Sequence, residues 1–259
     1  MRRFHTVGVV VAAVLLGLSV GAATAAENLQ SLIQKVDAKL YYPQQVGLRS
    51  LQADVESSRL GEMLKDSPEA KNVKLMFHWS APYKQRFILS GVPEGRSEDA
   101  RRFEGQLAIW GERLVPKPLA LTLAGYKCTV GEDEKSFSID AQSTAPSARI
   151  EAMKYTIDKK TLLPMRWHIA TSNFSADVAI KYEPLAEDKS LPVEMKAKAD
   201  QNDITLKMTW KRIENLTLAE SLTIAFVGDD GTTRTSSLRL SNHKINQPLP
   251  ADVFPASEK

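Results

Sequence analysis

Apolar and polar positions divide the chain into a helical opening, a short strand-bearing stretch, a helical interruption and a long strand-bearing half. Leu29, Leu32, Ile33, Val36 and Leu40 recur at i, i+3, i+4, i+7 and i+11, with Gln30, Gln34, Lys35 and Asp37 off the stripe. That spacing predicts an amphipathic helix, which Pro43 ends. From Leu51 the period becomes two. Leu51, Ala53 and Val55 alternate with Gln52, Asp54 and Glu56. After the turn-like KDSPEAKN, Val73, Leu75, Phe77 and Trp79 alternate with Lys74, Met76, His78 and Ser80. Two strands with one dry face follow from this, and YKQRFILSGVP reads as a third. Then Ser97 offers an N-cap to a helix whose first turn carries Glu98 and Asp99 and whose Phe103, Leu107, Trp110 and Leu114 share a face. Pro116 and Pro118 stop that helix, and the apolar LALTLAG beyond them fits either a helix or a strand.

The remaining half alternates almost without break. Met153, Tyr155 and Ile157, then Met165, Trp167 and Ile169, then Val178, Ile180 and Tyr182 take one parity, with charged or small residues between them. Val193, Met195, Ala197 and Ala199 continue it, followed by Ile204, Leu206, Met208 and Trp210, by Leu222, Ile224 and Phe226, and, past the Asp229-Asp230-Gly231 turn, by Leu238 and Leu240. Turn signals every 8–12 residues or so belong to antiparallel hairpins. About eleven strands with one greasy face are too many for a flat sheet. The expected fold is therefore mainly β with helices (α+β): a curled antiparallel sheet forming a half-open barrel covered by the helices. One domain over residues 27–259 accounts for the pattern.

Residues 1–26 stand outside that domain. Met1-Arg2-Arg3, the short apolar run Val7 to Leu18 and the small residues Ala23-Thr24-Ala25 have the order of a cleaved secretory signal peptide. No cysteine stands at the cut, so the expected product is soluble, in a bacterial periplasm or outside the cell. With Arg2 and Arg3 removed, the 34 basic side chains become 32 against 31 acidic, scattered along the chain, which argues against a nucleic-acid partner. Cys128 is the single cysteine, so an internal disulfide is excluded and the hydrophobic core must hold the domain.

The chemistry-bearing residues do not form a catalytic or metal motif. His78 and His168 fall on the polar parity of their strands, no H-E-x-x-H is present, and neither a G-x-S-x-G elbow nor a phosphate-binding glycine loop occurs. Acid pairs such as Asp229-Asp230 and Glu132-Asp133-Glu134 sit in turn contexts. IDKKTLLPMRWHI, which gathers Asp158, Lys159, Lys160, Trp167 and His168, is a turn followed by a strand with Pro164 at its entry. No enzyme, cofactor or metal is expected. What the pattern offers instead is an apolar interior lined by Leu75, Phe77, Trp79, Met165, Trp167, Ile169, Ile204, Leu206, Met208 and Trp210, with Phe103, Leu107 and Trp110 on a lid helix. A ligand for such a lining is apolar: a sixteen-carbon acyl chain gains about 12 kcal/mol gross on leaving water, at roughly 0.8 kcal/mol per CH₂. Ordinary core packing explains the same residues equally well.

Three stretches resemble the outer-membrane lipoprotein carrier family, the LolA/LolB-like fold. MFHWSAPYKQRFILSG is similar to its strand, x-x-Pro turn and aromatic-bearing strand; YTIDKKTLLPMRWHI to its strand, Asp-led turn and strand; and NHKINQPLPADVFPAS to its closing segment, where an Asn and a Pro precede a final Phe. The resemblance implies a periplasmic protein that binds a lipid or lipidated protein, carries it between membrane-bound donor and acceptor proteins and serves outer membrane biogenesis. An envelope sensing or interaction domain of the same fold, binding a protein partner without transport, is the alternative. In those carriers an Arg before the turn Pro ties down the helical lid; here that position is Ala81, before Pro82, and Arg86 on the next strand is a different position.

The inward parity is testable. Leu206→Glu should abolish uptake of a fluorescent fatty acid or unfold the protein, and His168→Ala should change neither uptake nor the circular-dichroism melt. Strong uptake by a folded Leu206→Glu protein contradicts the inward assignment.

Overall fold

The computed structural model describes residues 28–64, 70–93, 95–145, 148–185, 188–199, 203–228 and 230–254. The signal peptide expected at 1–26 lies outside them. These residues form two compact units, one made of Leu119–Ser175 with the described part of Met1–Lys39, the other of Leu40–Pro118 with Ala176 onward. Both units are built on antiparallel sheet, so the protein is mainly β with helices, as the alternation predicts. Among the described residues neither unit's sheet closes into a barrel, because each has a terminal strand that remains an edge.

In the smaller unit, helix α1 covers residues 28–39 and buries Leu32 and Val36. Four strands lie in chain order: β4 (Tyr126–Glu132), β5 (Ser136–Ser143), β6 (Ala152–Asp158) and β7 (Pro164–Thr171). Asp37, on the polar side of α1, accepts hydrogen bonds from the first backbone N–H groups of α4 (Leu119–Thr122), Leu119 at 2.8 Å and Ala120 at 3.2 Å. This settles the ambiguous LALTLAG as a helical turn begun by a carboxylate from another helix. The buried side chains stand opposite one another across the strands: Ala141 with Met153, and Ile139 with Tyr155, which in turn faces Trp167.

The larger unit holds β1 (Ser50–Ser57), β2 (Lys74–Ser80), β3 (Lys84–Ser90), β8 (Phe174–Leu185) from Ala176 on, β9 (Lys189–Ala199), β10 (Asp203–Ile213), β11 (Leu216–Val227) and β12 (Thr233–Ile245), with α2 (Ser58–Met63) and α3 (Ser97–Leu114). Its strand order is β3-β2-β1-β12-β11-β10-β9-β8. Helix α3 has the predicted bounds, but Arg96 and not Ser97 is the N-cap residue, and no side chain caps it. Glu98 and Asp99 in the first turn and Arg113 in the last still match the helix dipole.

Helix α3 touches strands far apart in that order. Gln85 on β3 donates to the carbonyl of Ala108 at 3.2 Å, while Trp110, two residues on, packs edge-to-face on Phe226 of β11 with centroids 6.2 Å apart. Strands β2, β1 and β12 intervene. Four strand spacings in a flat sheet span about 19 Å. A helix is only about 10–12 Å across, so this sheet curls around α3. Gly111 permits the close approach, since a Cβ there would lie 3.0 Å from both the Phe87 ring and the Gln85 side chain.

Part of the outer face of the same sheet, over β1 to β3, is covered as well. His78 points away from the α3 side, as its parity predicts, yet it is only 3% exposed. The chain after β12 explains this. Asn246 pins its start by accepting from the backbone N–H of Arg49 at 2.6 Å, and Arg86 donates to the carbonyl of Val253 at 3.1 Å. His78 stands opposite Gln52 and Arg86 in the strand register, beneath that strap. Its Nδ1 has no hydrogen-bond partner among the described residues.

Two predictions follow from these contacts. Gly111→Val adds atoms where Phe87 and Gln85 already sit, and should destabilise the protein by about 1–3 kcal/mol in urea titration. Burial, the largest influence on His78, holds its pKa below 6.5; Arg86 pushes the same way and Asp252 opposes both. The unfolded chain therefore takes up the proton first as pH falls, so the stability His78 provides is intact above pH 6.5 and declines below it. Unfolding measured from about pH 7.5 to about pH 5 should show that decline, and His78→Gln should flatten it. His243, also lowered chiefly by burial, supplies the part that remains.

Candidate apolar binding face

The α3 side of the larger unit carries most of the residues singled out from the sequence. Leu75, Phe77 and Trp79 on β2 and Leu206 and Met208 on β10 are buried in one apolar cluster with Phe103 and Leu107 of α3. Ile204, Trp210 and Trp110 are partly buried against it. Of the expected lid residues, Phe103 and Leu107 are thus buried in the packing and Trp110 borders it, while Leu114 also reaches into the curl. Trp210 donates its indole N–H to the Pro192 carbonyl at 2.8 Å, the polar handle a half-buried tryptophan requires.

Met165, Trp167 and Ile169 belong to the other unit, so they are not part of this cluster. Trp167 is buried and stacks on Tyr155, with centroids 5.7 Å apart and planes 7° from parallel. Ile169 is half-buried. Met165 is 43% exposed. The cause is a register shift: Thr156 pairs with Arg166 but Ile157 with Pro164, which leaves Met165 as an extra residue in β7 and turns Pro164 inward. Met165 instead borders an open groove of about 520 Å³ beside Asp133, Lys135 and Arg166. Strict alternation cannot foresee that shift, although a proline opening the strand is a signal for it.

Polar groups on and around the apolar face are tied to backbone. Glu104 of α3 accepts the backbone N–H of Leu89 at 2.7 Å, so the helix satisfies a donor on the free edge of β3. Tyr83 donates its hydroxyl to the Val115 carbonyl, and burial, followed by the charge of Glu112, raises its pKa. Trp79 and Gln85 face each other across β2 and β3; the indole N–H of Trp79 and the amide oxygen of Gln85 are buried with no hydrogen-bond partner among the described residues. Two polar atoms of this face are thus left without a bond.

The carboxylates of two described turns are held by short-range hydrogen bonds. The Asp133 carboxylate accepts from Ser136 and from backbone N–H groups, and Asp158 accepts from the backbone N–H and hydroxyl of Thr161; these bonds hold both pKa values below the usual range. They close the turns that the sequence assigns to them. Burial raises the pKa of the half-buried Cys128 thiol. Among the described residues no group of three His, Cys, Asp or Glu could hold a metal ion, and no helix is long and apolar enough to cross a membrane.

No family model matches the chain. No curated protein sequence matches it either. Solved structures do show likeness. One is a provisionally assigned outer membrane lipoprotein-sorting protein domain from Vibrio parahaemolyticus, at 10% identity and a TM-score of 0.37 over 85% of this chain and 93% of that one. A DUF1329 family protein from Desulfovibrio piger gives 10% identity and 0.39 over 88% and 97%. A LolA superfamily protein from Nitrosomonas europaea gives 11% identity and 0.34 over 88% and 97%. At these TM-scores the likeness carries no functional argument, which has to come from the residues of the α3-covered face.

Proposed function

We propose that the larger unit binds a lipid acyl chain, free or attached to a lipoprotein, on the apolar face that α3 covers. The supporting observation is the apolar lining of Leu75, Phe77, Trp79, Leu206 and Met208, which an occupant exchanging with α3 would meet. With the signal peptide read from residues 1–26, the setting is the periplasm, and the fuller reading is carriage of a lipid or lipoprotein toward the outer membrane. Catalysis has no part in it.

One observation favours a second reading, an interaction domain without transport. Phe103, Leu107, Leu114 and Val115 fill the curl as a core would, and a filled interior needs no ligand.

Displacing α3 breaks the bond from Leu89 N–H to Glu104, and a ligand must offset what the helix contributes. Titration with dansyl-undecanoic acid should therefore show saturable uptake, and Glu104→Ala should bind the probe severalfold more tightly, because its covered state is weaker. A folded protein and a folded Glu104→Ala variant that both ignore the probe would overturn acyl binding in favour of the second reading.

A further inference from the structure

A pocket of about 260 Å³ lies where α2 meets the start of α3, away from the residues used above except Phe103. Arg59 of α2 and Arg96 and Arg102 at the start of α3 line it, with Asp99 as the acidic lining residue and Met63 and Phe103 as its apolar part. Arg96 is partly spent: it donates to the Met63 carbonyl at 3.3 Å, which ties the end of α2 to α3, and its Nε stands 3.6 Å from Asp99. Arg102 pairs with Glu98 at 3.4 Å, but that carboxylate is 87% exposed and outside the pocket, so water or another anion replaces it at little cost. Arg59 has no ion-pair partner among the described residues. Three guanidinium groups against one carboxylate leave the pocket with an excess of two positive charges.

That combination selects a chemistry. Guanidinium forks suit the oxygens of a phosphate, which carries roughly one and a half to two negative charges as a monoester at neutral pH. The buried Phe103 ring and the Met63 thioether offer nothing to a bare ion but do pack against the carbons next to one. The volume lies below the roughly 300 Å³ at which pockets begin to enclose a drug-sized molecule, so it holds a headgroup and not a whole lipid.

We infer that the α2–α3 pocket is a binding site for the phosphate headgroup of an anionic amphiphile, with Arg59 and Arg102 gripping the phosphate and Met63 and Phe103 packing on the first carbons of its apolar stem. The site does not depend on acyl binding under α3. Dansyl-undecanoic acid uptake that persists in the Arg59→Gln/Arg102→Gln double variant reports on that face, and loss of either activity without the other separates the two readings.

Dihexanoyl phosphatidic acid, titrated by calorimetry below its micelle concentration, tests the site. It should bind the full chain saturably, and the double substitution Arg59→Gln/Arg102→Gln should raise its dissociation constant about tenfold or more through loss of charge-assisted bonds. Arg101→Gln, on the same helix but outside the pocket, should leave binding unchanged. Dihexanoylglycerol and inorganic phosphate, which keep only the stem or only the charge, should each bind at least about tenfold more weakly. Unchanged affinity in a folded double variant, an equal loss in Arg101→Gln, or equally tight binding of either half-ligand overturns the inference.

Discussion

The fit of α3 into the curl of the larger sheet is the constraint on which most of this unit depends. An antiparallel sheet with one apolar face must bury that face, and a single flat layer over a helix would leave β10 and β11 wet. Curling brings Phe226 of β11 and Gln85 of β3 to a single turn of one helix. Ala100, Phe103, Leu107, Gly111 and Leu114 form the stripe that fills the space, and the stripe works only because one of its positions lacks a side chain. The helix is therefore both cover and core, and any ligand for this face must compete with it.

The two faces of the sheet solve burial differently. The inner one is apolar and excludes water with a helix, at the cost of two polar atoms left unpaired. The outer one is polar, and there a strap rich in carbonyl acceptors lies over Gln52, His78 and Arg86. Arg86 donates to Val253 in the strap, and Gln52 reaches the Pro248 carbonyl at 3.4 Å. Prolines at 248 and 250 suit this role, because a chain that cannot donate from those positions does not extend the sheet. His78 thus acquires a buried setting on a face that its strand pattern marks as wet.

Much of this architecture is legible in the order of residues. Helix α3 begins and ends where its apolar stripe and flanking prolines say, and the alternation from Met153 onward marks strands β6 to β12 one by one. Strands β4 and β5 are harder to see. In β5, Phe137, Ile139 and Ala141 do alternate with Ser138, Asp140 and Gln142, but β4 has no matching run, because as an edge strand it exposes Val130 and half-buries Cys128. Helix α2 is too short to develop a stripe, and Ser97 loses the N-cap to Arg96 because backbone geometry, not side-chain type, decides which residue turns the chain.

The sites divide along the same line. Periodicity assigns residues to faces because side chains alternate rigidly along a strand, so Leu75, Phe77, Trp79, Leu206 and Met208 are identifiable as a shared apolar surface from the chain alone. Periodicity is silent on what lies against a face. Only the folded chain decides that α3 occupies the inner surface, that the C-terminal strap buries His78, that an extra residue in β7 turns Met165 out, and that Met165, Trp167 and Ile169 fall in a different unit. It alone brings Arg59 beside Arg96 and Arg102. These outcomes depend on register, curvature and contacts between residues distant in sequence, and no local spacing encodes them.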